Sequence, residues 1–150
     1  MPNWCSNEVQ IDGNKEDIAK FKEECFTEFK GEAVLDFSKI LPEPDYKQPK
    51  KDGTHNDGVQ TEFSSVMPDW WTWRNDNWGT KWNLVPNHDG DLTSYDFVEN
   101  HEDYIQLEFE TAWSPPNGIY EAIVEKYPEL SINWFYREDG VQIAGWLPYD

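Results

Sequence analysis

Carboxylates without neighbouring cations are the most prominent chemical feature of this sequence. From Trp82 to Glu125 there is no lysine or arginine, and ten acidic residues fall in that range. Uncompensated like charges destabilise a compact state by repulsion and attract basic surfaces. This pattern predicts an acidic partner-binding surface, and solubility of an acidic protein is the alternative explanation. The residues predicted to form that surface are Asp89, Asp91, Asp96, Glu99, Glu102, Asp103, Glu108 and Glu110.

A cluster of tryptophans is the second prominent feature of the sequence. Five of the nine tryptophans fall within thirteen residues, between Trp70 and Trp82. Indole rings fill a core, stack on a ligand or form a partner surface. We favour core packing, and a groove for a partner protein or a small molecule stays open as the alternative. The residues predicted to line such a groove are Trp70, Trp73, Trp78, Trp82 and Trp113.

No pattern in the sequence indicates catalysis, a metal or a cofactor. His55, His88 and His101 are isolated from one another, and none stands at zinc-ligand spacing from a cysteine. There is no nucleophile motif around a serine and no glycine-rich phosphate loop. We therefore expect no catalytic residues, no metal site, no cofactor and a non-catalytic protein.

The overall charge narrows the classes of partner. With 30 acidic and 12 basic side chains the formal net charge is −18, which repels nucleic acid and anionic lipid. No apolar run approaches the roughly 20 residues of a membrane span, and the first residues do not resemble a signal peptide. We expect a cytoplasmic protein that contacts neither nucleic acid nor membrane. Cys5 and Cys25 fit this expectation as buried thiols.

Two strand–helix units are predicted to position these residues. In the first, Cys5, Asn7, Val9 and Ile11 alternate onto one face of a strand, and Asn14 caps a helix that continues to Phe29.

In the second unit, apolar residues at 105, 107 and 109 alternate with polar ones, and a helix follows "SPPNG" until Pro128. Two strands joined by "REDG" end the chain.

The middle of the chain is predicted as an insertion. Residues 42–60 read as a loop, a short helix begins at Pro68-Asp69 and ends at Gly79, and "TKWNLV" reads as a strand. The polar segment from residue 86 to 103 is predicted to be a connection. The whole order predicts an α+β ferredoxin-like sandwich. Its antiparallel or mixed sheet of about five strands would carry two helices on one face. We expect a single domain over residues 1–150, with a loop and short-helix insertion at about residues 31–78.

Three blocks of sequence also resemble a known family. The blocks "MPNWCSNEVQIDG", "WGTKWN" and "FETAWSPPNGIYEAIVEKYPEL" are similar to the YubB-type ferredoxin-like domain family. Proteins of that family are small, are carried mainly by phages, plasmids and integrated elements, and mostly lack an assigned function. The resemblance implies a ferredoxin-like fold and a mobile-element origin. It implies no iron–sulfur cluster, since two cysteines do not supply four thiolate ligands, and no catalytic residues carry over.

These observations predict an acidic interaction protein of a phage or mobile element. Its expected partner is a basic protein of the host bacterial cytoplasm, of the kind that handles nucleic acid. An anti-CRISPR-type inhibitor that imitates a phosphate backbone, a DNA mimic, is one concrete form. A small-ligand module or enzyme with its site at the Trp73–Asn83 cluster is the alternative. The oligomeric state is left open, and self-association through the tryptophans is a third hypothesis.

Overall fold

The computed structural model describes residues 3–44, 69–86 and 95–148. Along the chain its elements are β1 (Trp4–Asp12), α1 (Lys15–Cys25), β2 (Phe26–Phe29), β3 (Glu32–Leu35), α2 (Phe37–Ile40), α3 (Asp69–Asn77), β4 (Tyr95–Asn100), β5 (Tyr104–Ala112), α4 (Asn117–Lys126), β6 (Ser131–Glu138) and β7 (Ile143–Trp146).

Five strands form one antiparallel sheet in the order β4-β5-β1-β6-β7, and β2 and β3 form a separate hairpin. Without β7 and the elements between α1 and β4, the chain order is strand, helix, strand, strand, helix, strand. In space these four strands follow the order β4-β5-β1-β6. This is the split βαβ arrangement of the ferredoxin-like fold. The predicted α+β ferredoxin-like sandwich is therefore confirmed.

The first strand–helix unit forms as its sequence pattern predicts. Cys5, Asn7, Val9 and Ile11 are buried on one face of β1, while the residues between them are more exposed. The side chain of Asn14 accepts a hydrogen bond from the backbone N–H of Asp17 at 2.8 Å and thereby caps α1.

The hydrophobic core lies between one face of the sheet and the helices. Val9 and Leu107 on the central strands belong to one buried cluster with Ile18 of α1 and Ile123 of α4. The indole of Trp134 on β6 completes this layer, and its N–H donates to the side-chain oxygen of Asn7 at 2.9 Å. Burying the polar Asn7 is thus compensated by hydrogen bonds. No helix of the described residues has the length and apolar character needed to cross a bilayer.

The predicted extension of the first helix to Phe29 is wrong. The helix α1 ends at Cys25, because Phe26 adopts an extended backbone and its strand β2 pairs with β3. Lys30 and Gly31 both have positive φ angles, 49° and 83°. Two such central residues make the tight hairpin turn that suits antiparallel strands. Phe29 stands at the helical spacing from Cys25, although it belongs to the strand β2.

The prediction of a strand at "TKWNLV" is also wrong, and so is the connection predicted for residues 86–103. Residues 79–86 form turns and bends. Their side chains form hydrogen bonds with other elements, and their backbone does not pair as a strand. Within the predicted connection, Tyr95–Asn100 forms the edge strand β4. The predicted loop at residues 42–60 lies outside the described residues beyond residue 44, and so do Asp89 and Asp91.

Candidate functional site

The sheet has one face turned away from α1 and α4, which we call the open face. Strand residues alternate in direction, so the neighbours of buried residues point to the opposite side. Val9, Leu107 and Trp134 are buried under the helices. Glu8 and Glu108 therefore belong to the open face, and both are exposed.

Three carboxylates lie side by side across the open face. Glu108 on β5 is directly opposite Asp96 on β4 and directly opposite Glu8 on β1. Opposite side chains of antiparallel strands have Cβ atoms about 4.5–5.5 Å apart. The row, named here the carboxylate row, therefore concentrates three negative charges on three adjacent strands.

Further carboxylates surround this row. Glu110 is opposite Ser6, and Glu99 is opposite Gln106 after a register shift in β4. Asp12 is opposite Tyr104. Burial of its hydroxyl raises the pKa of Tyr104, and the negative charges of Asp12 and then Glu99 raise it further. The open face is thus a region of negative potential.

Aromatic side chains border the carboxylate row on its other side. Phe135 on β6 is opposite Glu8, and its ring lies 5.2 Å from that of the exposed Trp146 on β7. Arg137 is the single cationic residue on the five strands of this sheet. Its Nε lies 3.1 Å from a carboxylate oxygen of Asp139, so its charge is already paired.

A groove of about 440 Å³ runs over this part of the open face. Carboxylates of three strands line it, together with Phe135 and Arg137. That volume lies within the range of about 300–1,000 Å³ typical of ligand pockets. The groove is large enough to admit a long side chain of a partner protein.

The remaining predicted acidic residues have different positions. Glu102 and Asp103 lie in the turn between β4 and β5, where Glu102 pairs with Lys15 at 3.4 Å. The structure thus brings Asp96, Glu99, Glu108 and Glu110 together on the open face, and it places the turn residues at its end.

Sequence reasoning missed two carboxylates of this face, Glu8 and Asp12. Both residues lie far in the sequence from the lysine-free stretch, residues 82–125, on which the predicted acidic surface depends. The alternation of β1 already placed Glu8 and Asp12 on the face of the strand that points away from Val9 and Ile11. The signal was therefore present, but the pairing of β1 with β5 was needed to give it meaning.

The predicted aromatic groove divides into a buried part and an exposed part. Trp78 is fully buried, with its ring edge-on to Phe37 at 5.7 Å and to Trp73 at 5.8 Å. Its indole N–H donates to the carbonyl of Leu41 at 2.9 Å. Trp73 is partly buried and packs against the same core.

Arg74 contacts two of the clustered tryptophans, Trp70 and Trp78. Its guanidinium lies 5.1 Å from the ring centres of both Trp70 and Trp78. Two hydrogen bonds of 2.9 Å join it to the carboxylate of Glu43. Cation–π contact and a bidentate ion pair together hold α3 against residues 41–44.

The exposed part of the cluster is a pair of tryptophans at the end of the sheet. The rings of Trp4 and Trp82 are 5.9 Å apart, with the ammonium of Lys81 4.3 Å from the Trp82 ring. A cavity of about 50 Å³ lies beside them, and Glu110 lines both this cavity and the larger groove. Trp113 is exposed as well and has a left-handed backbone with φ of 71°.

The segments "WGTKWN" and "AWSPPNG" contact each other directly. The carbonyl of Trp78 accepts hydrogen bonds from the backbone N–H groups of Gly118 and Ile119, at 3.1 and 3.4 Å. The hydroxyl of Ser114 donates to the carbonyl of Gly79 at 2.6 Å. No side chain caps α4. The carbonyl of Trp78 therefore satisfies donors that a helix start leaves free.

Within the described residues, no group of three or more His, Cys, Asp or Glu side chains is arranged to hold a metal ion. Burial raises the pKa of Cys5 to about 11 and also raises the pKa of Cys25. Both thiols are therefore protonated at neutral pH, and a protonated thiol is a poor nucleophile.

Comparison with known proteins gives one match. A family model described as a ferredoxin-like domain in Api92-like proteins matches residues 94–150. These residues include β4, β5, β6 and β7, which are four of the five strands of the sheet, and the helix α4. The match supports a ferredoxin-like domain family for this part of the chain. It does not support the YubB-type family name. No curated protein and no solved structure matches the chain.

Proposed function

We propose that this chain is a non-catalytic interaction protein that binds a basic protein through the open face of its sheet. The observation that carries the proposal is the carboxylate row. Asp96, Glu108 and Glu8 are in register on three adjacent strands, and the nearest cation on these strands is paired elsewhere.

The row has an energetic cost in the free protein. Like charges directly opposite each other on a sheet are destabilising. A partner's arginine or lysine between them would turn this repulsion into attraction, so part of the binding free energy would come from relief of repulsion. Association of this kind is fast and sensitive to salt.

The surroundings of the row favour arginine over lysine. Phe135 lies next to Glu8, and its ring contacts that of Trp146. A guanidinium pairs with a carboxylate through two hydrogen bonds and also stacks on aromatic rings. An arginine that enters the groove would reach Glu8 and the Phe135 ring together.

Proteins that handle nucleic acid are one class that exposes arginines, because arginine is suited to binding phosphates. We propose that the carboxylate row occupies such an arginine surface in place of a phosphate backbone. Membership of the YubB-type family and a mobile-element origin are part of this proposal. They point to a host or defence protein of the bacterial cytoplasm, and an anti-CRISPR-type inhibitor is one form. The net charge of −18 also supports the absence of direct nucleic-acid binding.

Two triple variants test the proposal. The open-face variant combines Glu8→Gln, Asp96→Asn and Glu108→Gln. The control combines Glu23→Gln, Glu125→Gln and Glu129→Gln at exposed positions outside the sheet. Each variant removes three negative charges, so each changes the net charge of −18 equally. The probes are a hexa-arginine peptide and a hexa-lysine peptide. Their binding is measured from the NMR shifts of the protein's backbone amide signals.

We expect the arginine peptide to shift amides of β1, β4 and β5 and to bind more tightly than the lysine peptide. The open-face variant should lose about tenfold or more in affinity, as expected for three exposed ion pairs, while the control should change little. Equal weakening of both variants would show that only total charge matters and would contradict the proposal. Capture from bacterial lysate at low and high salt, with both variants in parallel, would then identify the partner.

The alternative is a small-ligand module or enzyme at the Trp73–Asn83 cluster. The observation that favours it is the exposed Trp4–Trp82 pair beside Asn83 and Glu110. Exposed indole rings next to polar groups suit a flat ligand. Tryptophan fluorescence against a metabolite panel separates the two functions. Quenching that Trp82→Ala abolishes would favour the ligand site, and insensitivity to the panel would favour the protein partner.

A further inference from the structure

The strand β7 is one edge of the sheet, and its outer side has no strand partner among the described residues. The backbone N–H of Leu147 donates to the carbonyl of Trp134 at 2.9 Å. Hydrogen-bonding direction alternates along an antiparallel pair. The polar backbone groups of Ile143 and Gly145 therefore face β6, and those of Ala144 and Trp146 face outward.

The two edges of the sheet differ in the features that prevent edge-to-edge pairing. Natural edge strands are usually protected by charges, prolines or bulges. The other edge, β4, carries Asp96 and Glu99 and has a register shift between Phe97 and Glu99. The strand β7 carries no charge, proline or bulge, and its short length of four residues is the only such protection it has among the described residues.

The sequence around β7 is free of charge in a strongly acidic chain. No charged residue occurs from residue 140 to 148, although the net charge is −18. Ile143 is 44% exposed and Trp146 is 60% exposed. An approaching acidic protein meets no like charge along this strand, and it meets apolar area that becomes buried on contact.

We propose that β7 is a pairing surface for a second copy of this chain, with the two strands antiparallel about a two-fold axis at Gly145. This register brings Ala144 opposite Trp146 of the second copy and Ile143 opposite Leu147 of the second copy. Each Ala144–Trp146 pair then exchanges two backbone hydrogen bonds, because both residues have outward-facing backbone groups.

Side chains are complementary in this register. On the open face the large Trp146 lies beside the small Ala144 of the other copy. On the opposite face Ile143 meets an apolar leucine. At the axis two glycines face each other without Cβ atoms, which permits close approach of the backbones. A two-fold interface must complement itself, and this strand does so.

The interface is small, since each strand has four residues. Small interfaces belong to the weak and transient class. We therefore expect a dimer that forms reversibly at high protein concentration. Its ten strands would make one continuous sheet, with both open faces on the same side.

Sedimentation velocity over a range of protein concentrations tests this proposal. The variant Ala144→Pro removes an outward N–H and leaves the hydrogen bonds between β6 and β7 in place. The variant Ile143→Lys adds a charge at the edge. Its matched control is Val124→Lys on α4, where the valine is 41% exposed. Circular dichroism establishes that each variant is folded.

We expect the unmodified protein and Val124→Lys to dimerise with the same concentration dependence, and both β7 variants to stay monomeric. Hydrogen exchange of the unmodified protein gives a second readout that needs no variant. The amides of Ala144 and Trp146 should become more protected as concentration rises. A monomer at all concentrations, a dimer that both β7 variants retain, or a dimer that Val124→Lys abolishes would overturn the proposal.

Discussion

The side-chain amide of Asn83 joins two distant parts of the chain through Asp36. Its Nδ2 donates to a carboxylate oxygen of Asp36 at 2.8 Å, and its Oδ1 accepts from the backbone N–H of Phe37 at 2.9 Å. The residue at the end of "WGTKWN" therefore holds the N-terminus of α2. In the described structure this part of the tryptophan-rich segment acts as a clamp on the fold.

Replacing this amide should destabilise the protein. Asn83→Ala removes the acceptor of the Phe37 N–H and one donor to the buried Asp36 carboxylate, which keeps its hydrogen bonds from Thr27 and Ser38. We therefore expect the free energy of unfolding to fall by about 1–3 kcal/mol. Urea denaturation measures it. The control is Asn133→Ala, at an exposed position of β6, which should change stability by less than about 0.5 kcal/mol. Equal effects would contradict the role of Asn83 as a clamp.

Stability should depend on pH through Asp36. Burial opposes the charged form of Asp36, but hydrogen bonds from Ser38, Thr27 and Asn83 outweigh it and hold the pKa below its ordinary 3.8. A lowered folded-state pKa means that the carboxylate stabilises the fold above that ordinary value. This contribution is lost as the pH falls through the folded-state pKa.

The measurement is the difference in unfolding free energy between the unmodified protein and Asp36→Asn. We expect this difference to be constant near neutral pH and to shrink below the ordinary pKa of the carboxyl. The subtraction matters because acid also relieves repulsion among the other carboxylates. A difference that does not vary with pH would refute the prediction.

Neutralising the carboxylate row should stabilise the free protein while weakening its binding. Glu108 has a like charge directly opposite on each side. We expect Glu108→Gln to raise the free energy of unfolding by about 0.5–1 kcal/mol at low ionic strength. Salt should reduce the gain by screening. Glu125→Gln on α4 is the control, and thermal unfolding at two salt concentrations distinguishes them. No gain at low salt would show that the row carries little repulsion.

Gly118 gives a test in which helix propensity and tertiary structure predict opposite results. Alanine normally stabilises a helix by about 1 kcal/mol relative to glycine. A Cβ at position 118 would overlap the carbonyl oxygen of Asn77, at the junction of α3 and α4. We therefore expect Gly118→Ala to cost about 1–3 kcal/mol or more, as an overpacked site does. Stabilisation on urea denaturation would mean that this junction adjusts freely.

Local sequence patterns were sufficient for elements whose residues interact with near neighbours. The alternation of β1 and the Asn14 cap of α1 are visible in the sequence and present in the structure. The family match over residues 94–150 agrees with the ferredoxin-like prediction that these patterns allowed. Predictions of secondary structure failed where it depends on contacts with residues distant in the sequence. Thr80 and Asn83 bond to distant elements instead of forming a strand. Phe29 is a different case, because its spacing fits the helix but it pairs with Glu32 in a local hairpin.

The excess of carboxylates, the faces of the long strands and the fold class could be predicted from the sequence, because each depends on composition or short-range periodicity. The position of Glu8 beside Glu108 and the burial of Trp78 became known from the folded structure. The physical reason is that strand register and core packing join residues far apart in the chain. A residue's own neighbours in sequence do not specify which distant strand it will face.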